Sequence, residues 1–165
     1  MWFIDKCWPG LISRFPSLQF NIAGRNAPKW LIKNFDKPGI NFHGEIANAY
    51  DFMDRNGIMV VPLFSGSGMR IKIIEAMAMQ KPVLATPIGC EGIPVQHGKN
   101  IYLARNEKDF IEGIELLISN QLKREELGRE SYKLILKNYD NFAISKSLLQ
   151  FYNKLIHGIS DHILD

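Results

Sequence analysis

Short apolar runs alternate with amphipathic stretches along most of this chain, and the alternation predicts strands interleaved with helices. Residues 18–24 (LQFNIAG) are largely apolar, end in glycine and predict a buried strand. Residues 27–35 predict a short helix, and residues 40–43, closed by Gly44, a second strand. Ile46, Tyr50 and Met53 recur at helical spacing across residues 46–55. Residues 58–64 (IMVVPLF) form a continuous apolar run of the kind buried on both faces of a parallel sheet. Residues 69–80 are rich in strong helix formers. Residues 82–86 (PVLAT) predict another short buried strand, residues 89–92 a turn, and residues 100–103 a last edge strand. From Glu107 the pattern turns helical, over residues 107–120, 122–139 and 143–157, with a frayed tail at residues 158–165.

Strands alternating with helices imply a doubly wound, Rossmann-like α/β fold with a parallel sheet covered on both faces and a helical C-terminus. Right-handed crossovers then align the loops after the strands along one edge, where ligands bind in such sheets. Residues 65–68 fall on that edge. The start of the chain departs from the class. Residues 2–15 predict a helix with no strand before it, so the first strand is expected to be missing from this chain.

The chemistry concentrates in residues 62–78 (PLFSGSGMRIKIIEAMA). Gly66 and Gly68 let the backbone turn tightly and approach a ligand. The helix behind them offers unpaired N–H groups and the positive end of its dipole, a combination that favours phosphate. Gly66, Ser67, Gly68 and Met69 are the backbone candidates; Arg70 and Lys72 add positive charge. Cations there oppose the helix dipole by about 0.3–1 kcal/mol each, a cost that a polyanionic ligand would offset. Glu75, about two turns into the predicted helix, is placed to accept two hydrogen bonds from a ribose diol. A plain glycine turn, a solvated basic face and a surface glutamate remain the alternatives on residue chemistry alone. The segment is not a Walker A loop, since no GK[ST] follows, and Ile71 stands where GxGxxG needs its third glycine.

Composition narrows the field. The net charge of +3, from 20 basic and 17 acidic residues, gives no argument for nucleic acid. No apolar run reaches the ~18 residues of a transmembrane helix, and the first ten residues do not read as a signal peptide. Cys7 and Cys90 form no metal-ligand spacing and read as free thiols in a reducing cytoplasm. His43, His97, His157 and His162 lack zinc-ligand pairing, so no metal site is expected.

Residues 65–94 (SGSGMRIKIIEAMAMQKPVLATPIGCEGIP) resemble the donor-binding segment of family 4 glycosyltransferases, which have the GT-B fold. That segment has a Gly-rich loop, a K-x-x-E-A-M-A helix, then K-P-V-x-A-T and a glycine turn; residues 72–78, 81–86 and 89–92 match these parts. Residues 20–25 (FNIAGR) and 41–44 (NFHG) resemble the family's strands near the nucleotide, which brings in Gly24, Arg25 and His43. The resemblance implies residues 1–157 to be the donor domain of a retaining hexosyltransferase in polysaccharide or lipopolysaccharide assembly. It also implies an N-terminal acceptor domain absent from this chain, a nucleoside diphosphate sugar as donor and partner, and no cofactor. The chain alone is expected to be inactive, the parent enzyme cytoplasmic, with peripheral membrane association compatible with its basic, aromatic character. Two departures stand out. Many members carry a second glutamate where this chain has Ser67, which leaves the contact to the transferred sugar unassigned. The family's diphosphate-holding arginine and lysine fall before Met1. A non-catalytic Rossmann-like nucleotide-binding or regulatory module is the alternative; a dinucleotide-dependent oxidoreductase is disfavoured by the broken glycine motif and its mid-chain position.

Overall fold

The computed structural model describes residues 1–160, with side chains for all of these except residues 143 and 157–160. Two short helices open it, α1 (Trp2–Lys6) and α2 (Trp8–Arg14), separated at Cys7. Pro9 lies in the first turn of α2, where its missing N–H costs no helical bond. Then follow β1 (Phe20–Ile22), α3 (Lys29–Lys33), β2 (Ile40–Phe42), α4 (Ala49–Asp54) and β3 (Met59–Val61). The second half comprises α5 (Ile71–Ala78), β4 (Val83–Ala85), a 3₁₀ turn (Ile88–Cys90), β5 (Tyr102–Leu103), α6 (Glu107–Ser119), α7 (Gln121–Asn138) and α8 (Asn141–Ser160).

All paired strands are parallel. They form two pieces, β2 beside β1 and β3–β4–β5 in that order, with no ladder between β1 and β3. The two faces are covered by different helices. Leu84 of β4 packs with Phe3, Trp8, Leu11, Phe110 and Leu117 of α1, α2 and α6. Its neighbours Val83 and Ala85 point the other way, onto Ile73, Ala76 and Met77 of α5. This alternation is the period of two that a strand imposes.

Most expected elements form, several of them trimmed. The helix expected from residue 46 starts at Ala49, because the Asn48 side chain caps it by accepting from the Tyr50 and Asp51 N–H groups. Residues 58–64 were expected to be buried on both faces. The strand spans only Met59–Val61 and is half-buried, because Pro62 brings no N–H and β3 has a neighbour on one side only. The helix expected from residue 69 begins at Ile71, since Arg70 is extended. Residues 158–160, expected to fray, continue α8; the rest of the expected tail, residues 161–165, lies outside the described residues. Among the described residues no helix is long and apolar enough to cross a membrane.

Candidate functional site: a nucleotide-binding edge

The ends of β3 and β4 build the first half of the site. Beyond Val61, Pro62 prevents further pairing and the chain turns through residues 65–68 into α5. Gly66 has φ 130°, a conformation open to glycine. No side chain caps α5, so its first N–H groups remain for solvent or a ligand. The loop lies over a recess of about 460 Å³ lined by Ser65, Gly66, Pro87, Ile88 and Glu91. The Met69 side chain lies near Gly92, closing the loop against the turn after β4.

Arg70 does not project into solvent as the sequence suggested. Its Nη1 donates to the Ser67 carbonyl at 2.7 Å, and its Nη2 lies over the Gly66 Cα, where a Cβ would overlap it. Its Nε is buried without a partner. The guanidinium therefore closes the turn from within and carries one unspent donor. Lys72 and Glu75 form an ion pair at 2.6 Å along α5, with Glu75 the better covered of the two. Glu75 sits on the helix's second turn.

The second half lies at the ends of β1 and β2. Gly24 N–H donates to the Gly44 carbonyl at 2.8 Å, joining the two loops. Arg25 pairs with Glu45 at 2.9 Å, both largely exposed. His43 Nε2 meets Asn21 Oδ1 at 3.0 Å, and its ring packs edge-on to Phe52. His43, Asn21, Asn48, Asp51 and Arg55 border a polar hollow of about 460 Å³ beside α4. The ten expected residues thus fall into two groups on the same sheet edge: Gly66, Ser67, Gly68, Met69, Arg70, Lys72 and Glu75 after β3, and Gly24, Arg25 and His43 after β1 and β2.

Sequence reasoning missed Thr86. Its hydroxyl donates to the Leu63 carbonyl and accepts the Gly89 N–H at 3.1 Å, tying the loops after β3 and β4 together. A threonine at the C-terminal end of a predicted buried strand, beside the glycine loop, was the available signal. Cys90 is buried just behind that loop, and burial pushes its thiol up to about 11; burial likewise pushes Cys7 up to about 12. Both are poor nucleophiles. Among the described residues no three His, Cys, Asp or Glu side chains converge as a metal site would require.

Residues 1–120 match the model of the glycosyl transferases group 1. The chain belongs to that family. A relative of this group 1 chain is the uncharacterized 44.6 kDa protein in the cps region of Klebsiella pneumoniae, 26% identical over 159 residues, covering 91% of this chain. The group 1 chain spans 41% of that relative's length. Solved structures share the fold, that of the C-terminal half of the GT-B architecture. The C-terminal domain of the group 1 protein LpcC from Francisella tularensis superposes with TM-score 0.67 at 19% identity, over 84% of this chain and 76% of that one. Anabaena HepE, solved in complex with UDP, gives TM-score 0.73 at 17% identity, over 90% of this chain and 45% of that one.

Proposed function

We propose that residues 1–157 are the donor-binding domain of a retaining glycosyltransferase that moves a hexose from a nucleoside diphosphate sugar to a hydroxyl acceptor. The carrying observation is the uncapped N-terminus of α5 behind the glycine turn, with Lys72 and Glu75 following on the same helix. The diphosphate lies against the N–H groups of residues 66–69 and the start of α5, where its charge meets the helix dipole. As the glycosidic bond breaks, negative charge grows on the β-phosphate. The same N–H groups, Arg70 and Lys72 stabilise it. Glu75 accepts from the ribose diol, while Gly24, Arg25 and His43 border the base. The acceptor is held by a further domain of a longer polypeptide.

The UDP bound to HepE supports a nucleoside diphosphate as the ligand class, and the cps-region relative supports polysaccharide assembly as the setting. One observation favours a second reading, a non-catalytic nucleotide-binding or regulatory module: the Arg70 guanidinium fills the turn that the phosphate would use. Titrating the chain with UDP, GDP and ADP decides the ligand. Millimolar or tighter binding of a nucleoside diphosphate, lost on Arg70→Ala, places Arg70 on the ligand. No binding to any of the three removes the donor assignment. Assaying sugar transfer by the longer polypeptide separates enzyme from regulatory module.

A further inference from the structure

The break between β1 and β3 is unusual for a covered parallel sheet. In β1, Phe20 and Gly24 donate their N–H groups to Gly39 and Gly44, and Ile22 accepts from His43. Alternate strand residues bond to opposite sides, so Asn21 and Ala23 present their N–H and C=O groups away from β2. In β3, Met59 donates to Pro82 and Val61 accepts from Thr86. By the same rule Ile58 and Val60 present theirs away from β4. Two strand edges thus face each other without a ladder. Such edges in a sheet interior are costly unless paired.

The seam is hollow on both faces. On the α4–α5 side a cavity of about 290 Å³ is bordered by Asn21, Phe52, Met53, Val60 and Ala76. On the α1–α2–α6 side another of about 280 Å³ is bordered by Phe3, Trp8, Phe20, Val60 and Ile114. An inserted strand would send alternate side chains into the two cavities. Their apolar borders favour Val, Ile or Leu.

We propose that this seam is a docking slot for one β-strand, parallel to β1 and β3, supplied by the polypeptide that leads into Met1. The placement of α1 and α2 points to that occupant. Trp2, at the start of α1, stacks 4.6 Å from Phe64, just past the C-terminal end of β3. Trp8 donates to the Pro38 carbonyl at 2.8 Å, beside the N-terminal end of β2. The helices therefore run from the C-terminal edge of the sheet back to its N-terminal edge and deliver the chain into β1. That path is the crossover of a βαβ unit whose first strand lies in the slot. Handedness agrees. Steps from β1 to β2 use α3, packed on the Leu84 face through Leu31. Steps from β2 to β3 and from β3 to β4 run the opposite way and use α4 and α5, packed on the other face through Met53 and Ile73. A step from the slot to β1 shares its direction with β1 to β2, and α1 and α2 occupy the matching Leu84 face. The completed order is β2–β1–slot–β3–β4–β5. Its central strand ends between the two groups of site residues, at the crevice where such sheets bind ligands.

The slot is tested by amide hydrogen exchange on the 165-residue chain and on the same chain carrying a Val/Ile-rich heptapeptide and a Gly-Ser link before Met1. In the shorter chain the Asn21, Ala23, Ile58 and Val60 amides are expected to exchange at least about tenfold faster than those of Phe20, Gly24 and Met59; the extension slows them roughly a hundredfold. A control extension with proline at alternate positions, which cannot form the ladder, leaves them fast. Equal protection of both sets in the shorter chain would mean that β1 and β3 pair directly, and overturns the proposal. So does an unchanged exchange rate in the extended chain. Protection that rises with protein concentration in the shorter chain assigns the slot to a second copy and overturns the assignment to the leading segment.

Discussion

Lys72 Nζ donates to Glu75 Oε2 at 2.6 Å, so the cation and the carboxylate assigned to opposite ends of a nucleotide neutralise each other without one. An exposed pair of this kind contributes about 0–1 kcal/mol to stability. Glu75→Ala should therefore shift Tm by no more than about 2–4 °C, on the scale of that energy. Its effect on nucleotide affinity should be larger, roughly ten- to a hundredfold, because hydrogen bonds to a charged group are worth about 1.5–3 kcal/mol. Calorimetric titration with UDP beside a thermal melt checks both numbers. An unchanged dissociation constant removes Glu75 from the ribose.

Arg70 and Gly66 depend on one another. A Cβ at position 66 would overlap Arg70 Nη2, and φ there is 130°. Gly66→Ala should displace the guanidinium and strain the turn, costing about 1–3 kcal/mol. Adding Arg70→Ala should recover part of that loss, since it removes the overlap but leaves the backbone strain. Melting curves for the two single variants and the double variant read the coupling directly; purely additive losses would mean that the two residues do not touch in solution.

The alternation of strands and helices was legible because buried runs such as residues 82–86 and capped helices such as α4 carry local signals. The position of the glycine loop on the sheet edge followed from that order. Two features were not legible. Nothing in the pattern of residues 58–64 signals that β3 lacks a partner on one side, because a strand's neighbours are set by tertiary topology. The fold-back of Arg70 escaped for the opposite reason. It depends on one rotamer and one backbone angle in a loop, where residue type alone constrains little.

Cys7 and Cys90 provide a pH test. Burial raises Cys90 to about 11 and Cys7 to about 12, so both stay protonated in the folded chain where the unfolded thiols, near pH 9, would ionise. The unfolded state thus binds fewer protons above pH 9, and stability should fall from there up to about pH 12. Below pH 9 the two thiols should leave stability flat. Ellman's reagent at pH 8 should label neither thiol in the native chain within minutes and both in denaturant, since less than about 1% of each is thiolate. Rapid labelling of Cys90 in the native chain would show that the loop after β4 opens.

Gly128 of α7 faces the Gln80 carbonyl at the end of α5 so closely that a Cβ would collide with backbone. Neither partner is the end of a flexible side chain, so the helices must separate to admit a methyl group. Gly128→Ala should cost about 1–3 kcal/mol or more, the range for overpacking. Residues 66–75 should be spared, because the collision lies beyond the C-terminal end of α5. A Tm drop with the nucleotide affinity retained below the melt is the expected result; a variant as stable as the parent would show that the helices sit farther apart.

Thr86 is the residue whose loss should separate positioning from stability. It is 2% exposed, and its hydroxyl holds both the Leu63 carbonyl and the Gly89 N–H. Thr86→Val keeps the shape and leaves the two backbone groups unpaired, at a cost of about 1–3 kcal/mol. Thr86→Ser keeps the hydroxyl and loses only a methyl group. If the tie holds the glycine turn in register with α5, the valine variant should bind UDP roughly tenfold more weakly, about 1.4 kcal/mol, while serine stays within about twofold of the parent. A merely structural threonine would lower Tm in the valine variant and leave the affinity of the folded fraction unchanged. Titrations well below each variant's Tm distinguish the two, because only a displaced turn changes the dissociation constant of a chain that is fully folded.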